Sequence, residues 1–528
     1  MRADTLRTYK TVHTWTGIVA GLALFIAFYA GALTMFKGPL NRWATPPAVA
    51  AAQSPDADAL IAQTLAARPD ARADFTLHRA RHGAPERVAW KARGEESGWS
   101  ASFAPDGTLR IAPDAPAGLG QFIDVVHRTV ALPVDLETGT LVMAIVSALY
   151  ALAIVSGVVV LWPTLVKDFF ALRVGRNLKR MWLDAHNVIG IVSLPFHLVM
   201  ALSAVVFGMH DLIYDAQKAV VYGEPRFEQI WKASGPFSAI RPDPASAALL
   251  PLPALEARVR AQAEGFVPHT LRFRGAGTAG AAVWIAGDMP CCMTRQAQGS
   301  FVLVSAVDGQ LLHTEYLAGQ QSGWMASVSA FFALHFGAYG GGTVRWAYFF
   351  LGLAGAFLFY SGNLLWVESR RRAERGGVPV EQRRSSRWMA AGTVGVSLGC
   401  VAALSLTVAA EKWLWAWQGE VLAPWREHVY RAVFLGSVAW AFLRGASRGA
   451  VELLWLAAAA ALAVPLTSIA GWLLPSSGLW LRADALGVDA VALLGAGAFA
   501  WMALHTARRV REGPADSVWA APAPRPAG

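Results

Sequence analysis

Four histidines occupy matching positions beside long apolar runs of this 528-residue chain, where ionisable side chains are rare and commonly functional. His13 opens the stretch "HTWTGIV" and His186 opens "HNVIGIV", so both are followed four residues later by Gly-Ile-Val. His127 lies in "FIDVVHRTV" and His335 in "AFFALHFGAYGGG". The duplication predicts two equivalent pairs, His13 with His186 and His127 with His335.

Neutral imidazole is a good axial ligand for haem iron, and iron held by two imidazoles has no open position, which suits electron transfer. Two such haems, one near each face of a membrane, would form a path for electrons across it. Each histidine alone could instead be a helix-end residue with a satisfied hydrogen bond. Because the positions are duplicated, His13, His127, His186 and His335 are the candidate cofactor and metal ligands.

His197 is a separate candidate. It follows His186 by eleven residues, a spacing that returns to within about 20° of the same helix face and about 16 Å further along. Its equivalent in the first repeat is Leu24, which argues against a primary ligand. The adjacent Pro195 can kink the helix and free a carbonyl as a hydrogen-bond partner. His197 therefore stays open between an additional cofactor ligand and a core residue.

The elements that position these histidines are predicted to be membrane-spanning helices. The chain is 55% hydrophobic and only 16% charged, and several uncharged runs reach the roughly 20 residues needed to cross a bilayer. About eight spans are predicted, at 14–36, 141–163, 187–209, 347–367, 389–409, 429–442, 453–474 and 486–506.

Basic residues cluster beside the span ends on alternate loops. Positive charge next to a span marks the cytoplasmic side, so both termini are predicted to be cytoplasmic and the two large loops to lie outside. The membrane topology thereby explains the net charge of +10. The expected partner is the lipid bilayer, and no nucleic-acid partner is expected. The first span is expected to be an uncleaved anchor.

The two large loops also resemble each other. Each has a helical stretch, "DALIAQTLAARPDA" or "PALEARVRAQAEGF", followed by a hairpin with Asp-Gly at its turn. The returning spans end alike, in "SGVVVLW" and "SGNLLW". The predicted fold is therefore mainly α, a polytopic membrane helix bundle with two small α+β external domains inserted between helices 1 and 2 and helices 3 and 4.

The predicted domain organisation follows from these repeats. It comprises a first helix (1–36), a first external domain (37–140), helices 2 and 3 with a basic cytoplasmic loop (141–209), a second external domain (210–346), helix 4 (347–367), a basic linker (368–388), about four further spans (389–506) and a disordered cytoplasmic tail (507–528).

The chain resembles the PepSY-associated transmembrane helix family, bacterial iron-regulated inner-membrane proteins that include ferric-siderophore reductases. The resemblance covers roughly residues 5–372 and rests on "HTWTGIVAGLALFIAFYAGALTMF", "HNVIGIVSLPFHLVMALSAVVFG", "LHFGAYGGGTVRWAYFFLGLAGAFLFYSGNLLWVESRRR" and the two PepSY-like external modules.

The resemblance implies an oxidoreductase of the bacterial inner membrane that contains haem b, two per chain in this interpretation. It would pass cytoplasmic or quinol-derived electrons to a ferric siderophore or another iron chelate outside. Carried onto matching motifs, His13, His127, His186 and His335 are its ligands, and His197 falls in a family-like "LPFH" stretch. The spans beyond residue 388 exceed a four-span core, and no cytoplasmic flavin or nicotinamide domain is recognisable.

Two other functions stay open: a membrane-anchored binding or regulatory protein that uses its PepSY-like modules, and a permease for an iron complex. Cys291–Cys292 could form a vicinal disulfide, bind a metal transiently, contact an iron complex or be a chance pair. Arg128 and Arg345 could pair with haem propionates or snorkel to the interface. His78, His82, His269 and His313 are expected to be solvated.

Overall fold

The computed structural model describes residues 3–47, 56–81, 84–95, 98–114, 118–170, 177–296, 299–374, 380–419 and 423–520. Of the sequence features above, His82 and residues 521–528 of the predicted tail lie outside these ranges. The described chain forms two compact units. One comprises 1–46, 117–209 and 347–528, and the other comprises 47–116 and 210–346.

The structure is mainly helical, and seven helices among the described residues are long and apolar enough to cross a membrane. The protein is therefore a multi-pass membrane protein. The α-helices are α1 (Ala3–Thr34), α2 (Lys37–Ala44), α3 (Ala57–Ala67), α4 (Leu119–Thr129), α5 (Leu136–Leu161), α6 (Leu165–Phe169), α7 (Leu178–Val192), α8 (Leu194–Ala216), α9 (Glu224–Ser234), α10 (Leu252–Gln262), α11 (Gly323–Phe336), α12 (Gly341–Ser369), α13 (Arg384–Gln418), α14 (Ala423–Leu473) and α15 (Leu486–Glu512).

The longest helix, α14, is a helical hairpin. Gly445 has φ 75° and ψ 162°, a conformation that glycine adopts without a Cβ penalty. Trp440 Nε1 donates to Glu452 at 2.6 Å, and these residues would lie about 18 Å apart along a straight helix. The chain therefore reverses at Gly445, and α14 has two arms, 423–444 and 446–473. These arms coincide with the sixth and seventh predicted spans.

The third predicted span is also interrupted. Ser193 has φ −92° and ψ 5° and ends α7, and α8 begins at the next residue, one position before Pro195. Proline has no backbone N–H to donate and its ring crowds the carbonyl four residues earlier, so a helix is commonly interrupted in the turn before it. His186 therefore lies on α7 and His197 on α8, so the two imidazoles do not share one continuous helix.

In the second unit, the described residues form one antiparallel sheet of eight strands. The strands are β1 (Asp74–His78), β2 (Arg87–Trp90), β3 (Gly98–Phe103), β4 (Leu109–Asp114), β5 (Val267–Arg274), β6 (Ala282–Asp288), β7 (Ser300–Ser305) and β8 (Leu311–His313). Their order is β4-β3-β2-β1-β5-β6-β7-β8, so each module contributes a four-stranded meander. Pairing of β1 with β5 joins the modules and gives each inner edge strand a partner.

The compact sheet unit is smaller than the external domains predicted from the sequence. Its first segment is 47–116, whereas the prediction ran from 37 to 140. Helices α2 and α4 belong to the helical unit instead. Apolar residues of α4 are fully buried there, including Leu119, Ile123 and Val126, because the apolar face of this amphipathic helix packs in that core.

A buried polar network joins the ends of four helices in the helical unit. Lys412 is 0% exposed. Its ammonium donates to Ser468 Oγ at 2.8 Å and to the Trp480 carbonyl at 2.9 Å, and it lies 3.7 Å from the centre of the Trp43 ring. Asp489 accepts from Ser468 and from Trp43 Nε1, both at 2.9 Å. The network ties α2 to α13, α14 and α15.

Replacing Lys412 by methionine is expected to destabilise the protein by about 3 kcal/mol. Removing one member of a buried charged network leaves the remaining polar groups buried without their hydrogen-bond or charge partner. Thermal unfolding of the purified full-length protein in detergent measures the effect. The matched control is Lys10→Met, since Lys10 is exposed. An unfolding temperature equal to that of the unsubstituted protein would show that the network contributes no stability.

Candidate functional site

His13 is held by the returning helix of its own repeat. Its Nδ1 donates to the Ala153 carbonyl on α5 at 2.8 Å. One turn along α5, a Cβ at Gly157 would lie 2.9 Å from Cε1 of the imidazole, closer than real Cβ atoms come. Gly157, the glycine of the "SGVVVLW" segment, therefore lets the His13 ring pack directly against the backbone of α5. We call this arrangement, a carbonyl acceptor with a glycine one turn later, a cradle.

His186 has the same arrangement in the second repeat. The imidazole is hydrogen-bonded to the Leu358 backbone on α12, and its Nδ1 lies 3.3 Å from Ser361 Oγ. A Cβ at Gly362 would touch His186 Cε1 at 3.4 Å. Gly362 follows Leu358 by four residues, as Gly157 follows Ala153. Each "SG" segment thus receives the histidine of its own half.

The two halves bring these histidines together. The ring centroids of His13 and His186 are 6.3 Å apart, and the rings are inclined by 74°. The helices α1 and α7 that carry them belong to the same compact unit. The pair predicted from the repeat is therefore a pair of neighbours in space.

His127 repeats the pattern against α1. Its Nδ1 donates to the Ala27 carbonyl at 2.7 Å, and a Cβ at Gly31 would lie 2.9 Å from that nitrogen. Gly31 again follows the accepting carbonyl by four residues. The same cradle, a carbonyl acceptor with a glycine one turn later, occurs at His13, His127 and His186.

Helix α4 is fixed at its N-terminal end by α2 and by the C-terminal spans. Asn41 on α2 accepts from the Gly120 backbone at 2.7 Å. Arg426 on α14 lies so close to Gly118 that a Cβ there would be 2.8 Å from the guanidinium. Arg426 in turn forms a buried bidentate ion pair with Glu411 on α13. Spans outside the four-helix core therefore position the helix that carries His127.

The hydrogen-bond partners determine the tautomer of these imidazoles. A backbone carbonyl can only accept, so Nδ1 of His13 and of His127 carries the proton and the lone pair is on Nε2. At His186, Ser361 Oγ donates to the Leu358 carbonyl at 2.9 Å and can accept from Nδ1–H. A neutral imidazole with its lone pair on Nε2 is the form that ligates iron.

His197 is buried among aromatic rings of the helical unit. Its Nδ1 is 2.5 Å from the Tyr150 hydroxyl, which also donates to the His197 carbonyl at 3.3 Å. The hydroxyl can accept from Nδ1–H while it donates to the carbonyl, an arrangement that leaves the lone pair on Nε2. Among the described residues, Nε2 has no hydrogen-bond partner although it is buried. Phe28 packs against the ring, 5.5 Å between centroids.

His335 lies in the sheet unit, near the end of α11. The helix ends at Gly337, which has φ 61°, a conformation that glycine permits at a helix C-terminus. The carbonyl of the next residue, Ala338, accepts hydrogen bonds from both the backbone N–H and the hydroxyl of Thr294. Thr294 follows Cys291 and Cys292, which are joined in a vicinal disulfide.

The family model described as "PepSY-associated TM region" matches residues 10–369. This protein belongs to the PepSY-associated transmembrane family. The matched segment contains all five candidate histidines and ends with α12, so α13, α14 and α15 lie outside it. The four-span core with its external modules is therefore the family part of the chain.

An uncharacterized protein of Pseudomonas aeruginosa is similar to this PepSY-associated protein. The two are 28% identical over 341 residues, which cover 62% of this chain and 81% of the relative. The length of the alignment is close to that of the family segment, and the name of the relative states no activity.

The sequence of this PepSY-associated protein marks the histidines but not the residues that surround them. The "SG" repeat was visible, yet nothing in the sequence connects Gly157 to His13, which lies 144 positions earlier. Gly31 and Tyr150 have no equivalent in the other repeat that would have indicated a role for them. In the described part of the chain, no group of three or more His, Cys, Asp or Glu side chains could hold a bare metal ion.

In the sheet unit, His78 is not solvated as expected from the sequence. It ends β1, opposite Thr270 of β5, and burial, reinforced by the nearby charges of Arg87 and His269, lowers its pKa from 6.5 to about 4. An imidazole with this environment is neutral at pH 7.

This lowered pKa predicts a pH dependence for the sheet. Between pH 6.5 and about 4 the unfolded chain binds a proton at His78 that the folded chain does not. Stability is therefore fully present above pH 6.5 and falls as the pH is lowered through this window. After correction for the intrinsic change of exchange rate with pH, backbone amide hydrogen exchange in β1 and β5 of the full-length protein should be faster at the lower pH. His78→Asn should flatten the response, whereas the exposed control His210→Asn should not.

Proposed function

We propose that this PepSY-associated protein is a transmembrane electron-transfer protein of the bacterial inner membrane that contains haem b and reduces a ferric chelate outside. The observation that carries the proposal is the His13–His186 pair. Each imidazole is oriented through Nδ1 by the opposite helix of its repeat, with its lone pair on Nε2.

The residues present fit such a group. The His13 and His186 rings are neighbours, with centroids 6.3 Å apart, so both imidazoles could be ligands of one iron between them. Gly157 and Gly31 let the His13 and His127 rings pack directly against helix backbone, where a Cβ would collide with them. A haem takes two protein ligands, so larger clusters of metal-binding side chains are unnecessary.

The geometry of the helical unit supports His13 and His186 as the residues that would hold one haem, near the cytoplasmic face. The repeat alone pairs His127 with His335 as the expected ligands of a second haem. His197 is an additional candidate, because its buried Nε2 has no other partner among the described residues. When bound, a haem with two imidazole ligands supplies one-electron transfer without an open site for oxygen.

The protein's own contribution is orientation and exclusion of water. The Ala153 and Ala27 carbonyls hold His13 and His127 in single tautomers, which keeps the ligand nitrogen basic. Tyr150 does the same at His197. Phe28 and Phe359, whose centroids are 5.2 Å apart, pack in the apolar centre between these sites.

The expected substrate is a ferric siderophore or a similar oxygen-rich chelate. Hard oxygen ligands hold Fe(III) far more tightly than Fe(II), so one-electron reduction releases the metal. The external placement of the two PepSY-like modules, predicted from the basic loops, puts the acceptor side outside. The donor would be a cytoplasmic reductant or a quinol.

Proteoliposomes test the proposal. Vesicles that enclose dithionite and carry the full-length protein should reduce an external ferric chelate, measured with an impermeant Fe(II) indicator. Vesicles with a His13→Ala, His186→Ala double variant should not. If protein that contains haem forms no external Fe(II), the reductase proposal fails, and uptake of the intact chelate would instead favour a permease.

A further inference from the structure

A disulfide between adjacent residues lies in the sheet unit, in the turn that follows β6. Cys291 is bonded to Cys292, and the backbone N–H of Cys292 donates to the Met289 carbonyl at 3.1 Å. Pro290 therefore occupies the second position of a β-turn, where its fixed φ is favoured. The two sulfurs are thus bonded to each other at the tip of a tight, hydrogen-bonded turn.

The bond is poorly suited to a structural role. A structural disulfide stabilises a protein mainly because it closes a loop and restricts the unfolded chain, and this effect falls as the loop shortens. Cys291 and Cys292 are neighbours in the sequence, so their bond closes no loop of intervening residues. Exposed disulfides are typically the labile, regulatory or catalytic ones, and Cys291 is exposed. Chemistry at the sulfurs therefore accounts for the pair better than stability does.

The two bonded cysteines have different surroundings. Cys291 is exposed, whereas Cys292 is half-buried and packs against the hydrophobic core of the sheet unit. A thiolate that reacts with a disulfide needs direct access to the sulfur that it attacks. Cys291 is therefore the sulfur that an external thiol reaches, and Cys292 is the leaving group. The third cysteine, Cys400, is 0% exposed in the helical unit and takes no part in this chemistry.

The segment that follows the disulfide holds helix α11. Thr294, which is 3% exposed, donates to the Ala338 carbonyl through its hydroxyl at 3.2 Å and through its backbone N–H at 3.4 Å. The Arg295 guanidinium lies 4.6 Å from the centre of the Phe332 ring and 3.3 Å from Met325 Sδ. Phe332 and Met325 are residues of α11. The disulfide is therefore two or three residues from contacts that fix this helix.

We propose that Cys291–Cys292 is a reversible redox site that reacts with dithiols and that its reduction loosens α11. The bond between the two side chains restricts the backbone of the turn, and reduction removes this restriction because the thiols are free to separate. The added freedom arises next to Thr294 and Arg295 and weakens their hold on α11, the helix that carries His335. The site and its effect on α11 stand without the proposed electron transfer.

The reaction balances with the dithiol as the only co-reactant. One thiolate of the dithiol attacks Cys291 Sγ, the Cys291–Cys292 bond breaks, and Cys292 leaves as a thiolate that takes up a proton. The second thiolate of the dithiol attacks its own sulfur in the mixed disulfide and releases Cys291, which is protonated in turn. The dithiol loses two electrons and two protons, and the cysteine pair gains both. A disulfide in the oxidising compartment where the sheet unit is predicted to lie reverses the reaction.

Differential alkylation of the full-length protein tests the site. Under native conditions, dithiothreitol should make Cys291 and Cys292 reactive with N-ethylmaleimide, measured by peptide mass spectrometry, while Cys400 stays unlabelled as an internal control. Removal of dithiothreitol and addition of glutathione disulfide should restore the bond and abolish labelling. Resistance of the pair to dithiothreitol in the folded protein, or labelling that glutathione disulfide does not reverse, would overturn the proposal.

Single-cysteine variants test the assigned roles of the two sulfurs. Cys292→Ser leaves the exposed sulfur and should form a mixed disulfide with glutathione disulfide about tenfold faster than Cys291→Ser, which leaves the half-buried one. Equal rates in the two variants would contradict the assignment of Cys291 as the sulfur that is attacked.

Hydrogen exchange tests the link to α11. In the reduced protein, and in the Cys291→Ser, Cys292→Ser double variant, amide exchange of residues 291–296 and 323–338 should be about fivefold faster than in the oxidised protein. Strand β1 of the same unit is the internal reference and should be unchanged at constant pH. Equal exchange of α11 in the oxidised and reduced proteins would overturn the proposed effect on this helix.

Discussion

Replacing His186 by alanine is expected to remove one haem from each chain, and His13→Ala is expected to remove the same haem. The two imidazoles are neighbours, 6.3 Å between centroids, and iron with two axial histidines loses its low-spin state when either ligand is lost. The total haem per chain should fall by about half in each variant. Pyridine haemochrome quantification and the reduced spectrum of the purified proteins measure the loss.

Non-additivity makes this prediction specific. Because His13 and His186 would serve one iron, the double variant should lose no more haem than either single variant. The matched control is His505→Ala, since His505 is an exposed histidine in the same unit whose Nδ1 contacts the Trp501 carbonyl of its own helix. Loss of separate haems in His13→Ala and His186→Ala, or paired loss in His197→Ala and His127→Ala, would contradict the ligand assignment while leaving electron transfer intact.

The second large effect is expected from a single methyl group. Gly31→Ala places a Cβ 2.9 Å from His127 Nδ1, so the imidazole must move and its hydrogen bond to Ala27 must lengthen. The haem assigned to His127 should then lose its low-spin spectrum or its occupancy, although the substitution favours helix formation by about 1 kcal/mol.

The same helix provides the control. A Cβ at Gly17, also on α1, would meet no atom within 4 Å, so Gly17→Ala should gain helix stability and keep both haems. Electron paramagnetic resonance of the oxidised proteins distinguishes a displaced ligand from a lost haem. Identical spectra for the two variants would show that the Gly31 cradle does not position His127.

The repeated sequence predicted which histidines correspond, because equivalent residues of a duplicated unit occupy equivalent positions. It thereby predicted the proximity of His13 and His186. It could not predict the cradles, since contact between His127 and Gly31 depends on how α4 packs against α1. Within a single helix, a glycine and a carbonyl four residues before it carry no sign of the ring that they receive.

The strand pairing of the sheet could also be predicted only in part from the sequence. Two similar α+β modules were expected from the hairpin signals, and each forms a four-stranded meander. The pairing that joins the modules aligns Phe75 with Phe273 and Leu77 with Leu271. These partners are almost 200 residues apart in the chain, so no turn between them sets the register, and the apolar faces of both strands decide it instead.

The C-terminal spans were predicted as membrane helices without a role. Their contribution depends on buried polar contacts that the sequence does not mark. Lys412 and Glu411 stand near the end of a span, where a charged side chain commonly reaches water. In the structure Glu411 pairs with Arg426 and Lys412 joins the network to Trp43, so both hold the elements around His127.

The most direct test of the central claim is a dithionite-reduced minus oxidised optical spectrum of the purified full-length protein, with haem quantified per chain. Two low-spin b-type haems per chain are expected. A protein without haem, after expression with adequate haem supply, would contradict it and would favour a membrane-anchored binding protein that uses its PepSY-like modules.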